Sequence, residues 1–565
     1  MVNVKNLFGM AVMATALVGC SSNDNLAPDG KDNVGKAGEA YASFRINLPT
    51  TSGTRAAGDP QGTPDFEHGT AAEYEVKNGT ILIFDATTEK FVTSANLGTM
   101  NPWTDVKTNG VTTSAIATVK LENVKVGSSY KALVLLNNNV DATTEKVKLP
   151  TDAETYAAWS KDASKVDAEK YVSTDGIFMA NAPKYESDTE DPTTLVKINH
   201  VCASPEEAQA KAATVVYVER GLAKVTMQNY KTDGYTIAEG TTYAGDKVVI
   251  TDWKLDVTNK STYPVHQTGG LLNAWDKIWG TGRFFDNTSS SFKRVYWGED
   301  PNYSGSALNN LAACKNAFNM IKNSEVKGET GTDHPQYCLE NTFDLANMMQ
   351  GQTTRVVFKA VYTPKALEGT TEKTFYKIGN NTAIWTKANL EKQIHTVAVT
   401  AMGITTATEQ AKYVVKLDAT ENNISGEAGQ HLIKAENITY TGEGTSQVNP
   451  DVVNKINEKL GLSEAAGIAT YLNGEAYYIA RIKHFNELTP WNPGEAYDSK
   501  NEKYLGRYGV LRNNWYDLSV NSISGLGYPE VPEVKPTVPD DENDQYINVE
   551  VKILDWAMRK QVIDL

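Results

Sequence analysis

The chain has 565 residues, a formal net charge of −15 and 40% hydrophobic residues. That acidity argues against a nucleic-acid surface, which needs clustered Lys and Arg, and reads first as solubility. The length suits roughly two to four domains with sizeable cores.

The first residues read as a targeting segment. Lys5 supplies a positive start, and Leu7 to Val18 form an apolar stretch too short to span a bilayer. Leu17-Val18-Gly19-Cys20 resembles the lipobox of bacterial lipoproteins, where cleavage leaves the cysteine as the lipidated N-terminus. Residues 1–19 are thus expected to be a lipoprotein signal peptide, with Cys20 lipidated and the precursor held at the outer membrane. Residues 21–40 follow as a polar tether, and no other segment is apolar enough to span a membrane.

Residues 41–48 alternate, with Ala42, Phe44, Ile46 and Leu48 on one face, and Pro49 ends the strand. The next loop, 50–64, is rich in Gly, Pro, Thr and Ala and carries Arg55 before Ala56. An arginine on an exposed loop of small residues suits a trypsin-like protease. Further on, Asn78-Gly79 between apolar runs signals a hairpin turn. More strands are expected at 80–85, 114–121, 129–137 and 176–180, with a short helix over 152–162. Ser204 and Glu207 form a capping box with Pro205 at the first helical position. Residues 214–227 read as a strand pair or one bulged strand, and a domain boundary is expected near residue 230.

The second block opens with the strand at 247–258 and has its plainest strand at 354–364. An amphipathic helix over 449–460 places Val452, Val453, Ile456 and Leu460 on one face. Late strands are expected at 476–483 and 514–523. Residues 525–545 carry four prolines and an acidic end, a composition that favours an extended, solvated arm. Beyond it, Ile547, Val549, Val551 and Ile553 alternate again ahead of Trp556. The fold class is therefore mainly β: two antiparallel, Greek-key-like β-sandwich domains with a few short helices and a detached C-terminal strand.

Chemistry is sparse. No phosphate loop, serine-hydrolase elbow or zinc-protease motif occurs, and the seven histidines at 68, 200, 266, 334, 395, 431 and 484 are scattered. Cys20, Cys202, Cys314 and Cys338 lack zinc spacing; Cys314 and Cys338 either pair in an oxidising compartment or stay as buried thiols. The acidic run Asp540, Asp541, Glu542, Asp544 lacks a calcium-loop pattern and reads as solvated linker. Trp275, Trp279, Trp297, Trp491 and Trp515 either pack loops or form a sugar platform. No enzyme, no metal and no cofactor is expected.

Three features interlock: a strand near the N-terminus, an arginine loop after it, and a strand of matching alternation at the far end. Cutting after Arg55 would remove residues 20–55 with the first strand and open an apolar groove. The tail of another copy fits such a groove by strand addition. A contact between opposite ends of one chain is head-to-tail and makes filaments.

Residues 54–59, 218–225 (Val-Glu-Arg-Gly-Leu-Ala-Lys-Val), 512–527 and 549–556 resemble the Bacteroidales fimbrillins, most nearly the shaft subunits of minor (Mfa-type) fimbriae. The likeness spans both ends and both expected domains, and is loose over about residues 260–350. It implies a lipoprotein precursor, cleavage by an Arg-specific protease at Arg55–Ala56, and polymerisation by donor-strand exchange into adhesive surface fimbriae, with anchor and tip subunits as further partners. By the same likeness Cys20 is the lipidated residue, Ala42, Phe44, Ile46 and Leu48 belong to the displaced strand, and Ile547, Val549, Val551, Ile553 and Trp556 to the donor. The expected units are 20–55 (lipidated propeptide), 56–230 and 231–524 (β domains), 525–545 (linker) and 546–565 (donor strand). Only Asp24 is acidic directly after Cys20-Ser-Ser-Asn, so an acidic surface-export signal is weak; Arg45 offers a second, less accessible arginine. The rival reading is a monomeric surface lipoprotein that binds glycan or host protein through its aromatic loops, its last strand completing its own second domain.

Overall fold

A computed structural model describes residues 39–48, 70–98, 114–139, 145–165, 168–172, 176–185, 192–228, 231–268, 293–294, 297–303, 307–327, 334–342, 347–417, 432–463, 466–484, 508–540 and 547–555. It is mainly β, 36% strand and 20% helix.

The N-terminal half is built on one eight-stranded sheet. Its strands are β1 (Glu39–Asn47), β2 (Gly79–Asp85), β3 (Phe91–Asn96), β4 (Ser114–Glu122), β5 (Tyr130–Leu136), β6 (Met179–Asn181), β7 (Val196–Lys197) and β8 (Thr214–Arg220). The order is β3-β2-β5-β6-β8-β1-β4, with β7 beside β5. The alternation of β1 turns Ala40, Ala42, Phe44 and Ile46 into a core shared with Ile81, Val134, Leu121 and Val216. The opposite face of β2 and β5 is also covered: Leu82, Phe84, Leu133 and Leu135 pack on Trp159, Tyr171 and Phe178. This explains why β2 and β5 read as continuous apolar runs rather than alternations.

Asn78-Gly79 does not turn a hairpin. Residues 71–74 form a helical turn, and β2 begins at Gly79 itself. A Cβ at Gly79 would lie 2.8 Å from Leu97 Cδ1, and Asn78 Nδ2 donates to Asn139 Oδ1 at 3.1 Å. Close packing, not a turn, uses this pair. The short helices α1 (Tyr156–Ser160) and α2 (Pro205–Ala210) occur where expected. In α2 the Glu207 amide donates to Ser204 Oγ at 3.2 Å and Glu207 Oε2 accepts from the Ala203 amide at 3.1 Å.

The run 214–227 serves two sheets. β8 ends at Arg220, Gly221 donates its amide to Phe178 O, and β9 (Ala223–Gln228) enters another sheet. That sheet has the order β12-β9-β20-β21, with β12 (Gln336–Cys338), β20 (Asn514–Ile523) and β21 (Ile547–Asp555). A second four-stranded sheet has the order β10-β11-β13-β19, from β10 (Tyr235–Thr236), β11 (Lys247–Asp256), β13 (Arg355–Thr363) and β19 (Glu475–Arg481). Both line one core, which includes Val225, Met227, Trp253, Phe358, Tyr478, Tyr516 and Leu518.

Two strand pairs correct the all-antiparallel expectation. β1 runs parallel to β8, and β9 runs parallel to β20. Alternation fixes which face is buried but says nothing of a neighbour's direction. Between β13 and β19 the chain also builds a separate small unit. Strands β14 (Phe375–Ile378), β15 (Ile384–Trp385) and β18 (Ile468–Tyr471) form a sheet, and β16 (Tyr413–Val415) pairs with β17 (Ile438–Tyr440). These pack with helices α3 (Lys387–Ala401) and α4 (Pro450–Lys459) around Leu390, Ile394, Tyr413 and Ile456. Asn449 caps α4, and Val452, Val453 and Ile456 are buried as their spacing requires.

Candidate functional site

β1 is an interior strand held on three sides. All nine of its residues pair with β4, from Glu39 opposite Glu122 to Asn47 opposite Ser114. Its second half, Phe44 to Asn47, also pairs with Thr214 to Tyr217 of β8. Tyr41 exchanges both backbone hydrogen bonds with Cys202, at 2.9 and 2.8 Å. Ala42, Phe44 and Ile46 are fully buried, and Leu48 is 5% exposed.

The outer side of β1 is uneven. Ser43 is buried under α2: its Oγ donates to Ala208 O at 2.8 Å and lies 2.9 Å from Thr118 Oγ1. Arg45 is exposed, opposite Ile116 on β4 and Val215 on β8, which are 56% and 40% exposed. At the strand's start Glu39 Oε1 meets Lys120 Nζ at 2.9 Å. Hydrogen bonding to Glu39 holds the Lys120 ammonium above its ordinary pKa.

The C-terminal strand β21 pairs antiparallel with β20 of its own chain. Ile547 stands opposite Ile523, Val549 opposite Val520, Val551 opposite Leu518 and Ile553 opposite Tyr516, with a bulge between Val520 and Ser522. Trp556, Cys20, Arg55 and Ala56 lie outside the described residues.

The arm before β21 is docked rather than solvated, a correction for residues 525–540, and it is not extended throughout: the Val538 amide donates to Lys535 O at 3.0 Å, closing a turn. Tyr528 and Tyr477 exchange backbone hydrogen bonds. Arg355 Nη2 donates to Pro532 O at 2.7 Å while its guanidinium pairs with Asp256, also at 2.7 Å. Val534 is buried with Val257, Leu308, Cys314 and Phe318. Asp540, from the acidic run, is fully buried and accepts from Thr353 Oγ1 at 2.9 Å. Prolines lack the amide but keep the carbonyl, so a proline-rich strap still docks through acceptors.

The other candidates are structural where they are described. Cys202, Cys314 and Cys338 are buried free thiols. Trp297 is fully buried, and Trp515 lies under Lys224 Nζ at 3.5 Å while donating to Thr226 Oγ1 at 2.6 Å. Trp275, Trp279 and Trp491 lie outside the described residues. His266 Nδ1 lies 2.7 Å from Glu219 Oε1, and His484 Nδ1 lies 2.8 Å from the Tyr516 hydroxyl, both buried. Burial lowers the His484 pKa to about 3. No group of three His, Cys, Asp or Glu suited to a metal occurs among the described residues.

A buried ionic seam was not anticipated. Lys224 of β9 pairs with Glu73 at 2.8 Å, and Tyr337 of β12 donates its hydroxyl to the same carboxylate. Arg220 Nε donates to Glu73 O, and its amide to Asn513 Oδ1. Nearby Arg512 pairs with Glu340. Burial pushes Arg220 down to about 10 and lowers Lys224, against the pull of Glu73. The only signal in the sequence was charge inside a strand run, Glu219, Arg220 and Lys224 among apolar residues. These groups join the eight-stranded sheet to the β9–β20 sheet.

Residues 469–562 match the family model described as "Major fimbrial subunit protein type IV, Fimbrillin, C-terminal". This stretch contains β19, β20 and β21. Two crystal structures from Parabacteroides distasonis ATCC 8503 are also similar. One, described in terms of cell adhesion, has 11% identity and a TM-score of 0.39, covering 93% of this chain and 99% of that one. The other, a fimbrial assembly protein, has 12% identity and a TM-score of 0.26, covering 57% of this chain and 81% of that one. The resemblance read from the sequence thus recurs where the family model reaches: residues 469–562 are similar to the C-terminal region of a type IV major fimbrial subunit.

Proposed function

We propose that the protein is a fimbrial shaft subunit, exported as a lipoprotein on Cys20, cut between Arg55 and Ala56 by an Arg-specific protease, and polymerised head-to-tail by donor-strand exchange. The observation that carries this reading is the position of β1. It fills an interior place in its sheet with β4 on one side and β8 on the other. Its removal with residues 20–55 leaves both neighbours with unpaired backbone groups and strips the core of Ala42, Phe44, Ile46 and Leu48. A strand with the alternation of Ile547, Val549, Val551 and Ile553 fills such a slot. Those four side chains are worth at most roughly 6–12 kcal/mol at full burial, and the ladder hydrogen bonds add to it. The fimbrillin match over 469–562 supports the same class of protein. Anchor and tip subunits complete the filament, which is displayed on the cell surface and serves adhesion.

The test uses residues 21–565 as a soluble precursor. Brief trypsin treatment is expected to yield a new N-terminus at Ala56 and an SDS-resistant ladder on unheated gels. Deleting 546–565 is expected to abolish the ladder. A cleaved, folded protein that stays monomeric defeats the reading.

One observation favours the rival, a monomeric surface lipoprotein: β21 completes a sheet of its own chain. Under the shaft reading this is the resting place of the donor before assembly. The deletion separates the two, because under the rival it damages the second domain and has no ladder to remove.

A further inference from the structure

Resting on the donor-strand reading above, we infer that the incoming strand of a second copy runs in the direction of β1, antiparallel to β4, with Asp544 in the place of Glu39, Tyr546 in that of Tyr41, Asn548 in that of Ser43, and Ile547, Val549, Val551 and Ile553 in those of Ala42, Phe44, Ile46 and Leu48.

The apolar row alone is blind to direction. Four buried places at Ala42, Phe44, Ile46 and Leu48 accept the four donor residues either way round, and Glu550 takes the place of exposed Arg45 in both. The remaining places break the tie.

Ser43 is the first. Its place is 7% exposed and closed by residues that stay after cleavage, Ala208 of α2 and Thr118 of β4. A short hydrogen-bonding side chain fits, and Asn548 is one. The reversed strand puts Lys552 there, an ammonium under a helix. The second is Ala40, fully buried at the end of the inner row. The β1 direction brings Gln545 to it, a neutral amide, whereas the reversed strand brings the carboxylate of Asp555.

The third is Lys120. Cleavage removes its partner Glu39. In the β1 direction Asp544 supplies an acid in the same place; reversed, Trp556 falls there. The two segments echo each other in one direction only: Tyr41-Ala-Ser-Phe-Arg-Ile-Asn-Leu against Tyr546-Ile-Asn-Val-Glu-Val-Lys-Ile. Lys552 then takes the place of Asn47, which is 7% exposed like Ser43 but is flanked by half-buried Ser114 and Tyr217 rather than closed by a helix, so that a long side chain can run out between them.

The test is cross-linking of trypsin-assembled polymers carrying paired cysteines, treated with oxidant and with a short bismaleimide. Ser114→Cys with Lys552→Cys is expected to join neighbouring subunits covalently, because Asn47 stands opposite Ser114. Thr118→Cys with Lys552→Cys is expected not to, since only the reversed strand brings that pair together. Joining of the second pair, or of neither, overturns the inferred direction or register while polymerisation itself stands. Failure of the unsubstituted protein to polymerise defeats the donor-strand reading instead. A charge swap covers a cysteine variant that does not assemble. Lys120→Glu is expected to slow polymerisation about two- to fivefold, the scale of one surface ion pair, and Asp544→Lys to restore it. No restoration overturns the register.

Discussion

Phe44 of β1 and Val216 of β8 lie in one core although some 170 positions separate them, joined by parallel pairing of Phe44–Asn47 with Thr214–Tyr217. In the shaft reading the contact belongs to the precursor and is lost on cleavage, and this separates what a substitution does before and after assembly.

Phe44→Ala empties a fully buried aromatic place. It is expected to destabilise the uncleaved precursor by about 3–5 kcal/mol and to leave the stability of the assembled polymer unchanged. Urea unfolding of the precursor, and the heating needed to dissolve the ladder, measure the two.

Lys224 and Glu73 are 4% and 3% exposed and pair at 2.8 Å. Lys224→Met strands a buried carboxylate and is expected to cost about 3–5 kcal/mol. Adding Glu73→Gln is expected to recover much of that loss. A double-mutant cycle by urea denaturation checks it; additive losses would mean that the pair is not coupled.

His484 is buried and its pKa falls from 6.5 to about 3. A depressed histidine contributes stability present above its unfolded pKa, and that contribution is lost as pH falls below about 6.5 toward about 3. The slope is about 1.4 kcal/mol per pH unit inside that window. His484→Asn is expected to be less stable than the parent at pH 7, and the gap is expected to shrink by about 2 kcal/mol by pH 5. Denaturation curves at the two pH values give the difference.

Val534 anchors the proline-rich strap in the cluster with Val257 and Phe318. Val534→Asp buries an unpaired charge or frees the strap. Limited proteolysis is expected to cut within 530–540 about tenfold faster in the variant, the effect of losing about 1.4 kcal/mol of docking when cleavage follows local opening. Equal rates would show that the strap does not depend on this contact.

What was legible in the sequence was local. Alternation over 41–48 exposed a strand and its buried face, because side-chain direction in a strand depends only on parity. The Ser204–Pro205–Glu207 cap and the 449–460 helix were readable because a cap and a 3.6-residue period are set within a few residues. Helix α3 escaped this reading although Leu390, Ile394 and Ala398 recur every four residues. Its second half, Thr396-Val-Ala-Val-Thr400, is β-branched and resembles a strand. The Asn78-Gly79 turn failed for the opposite reason: the local signal was sound, and packing of Gly79 against Leu97 used it otherwise.

Partnership was decided only in three dimensions. No period in the chain says that β1 lies parallel to β8, that 214–228 divides between two sheets, or that Glu73 waits for Lys224. These depend on which groups meet after the backbone closes loops of a hundred residues or more. The strap shows the same limit. Its prolines favour an extended backbone, yet the strap turns between Lys535 and Val538. Whether an extended backbone stays in water depends on acceptors met elsewhere, here by Arg355, and on the apolar niche that receives Val534. Backbone preference is a property of neighbouring residues; docking is a property of surfaces that exist only once the rest of the chain has folded.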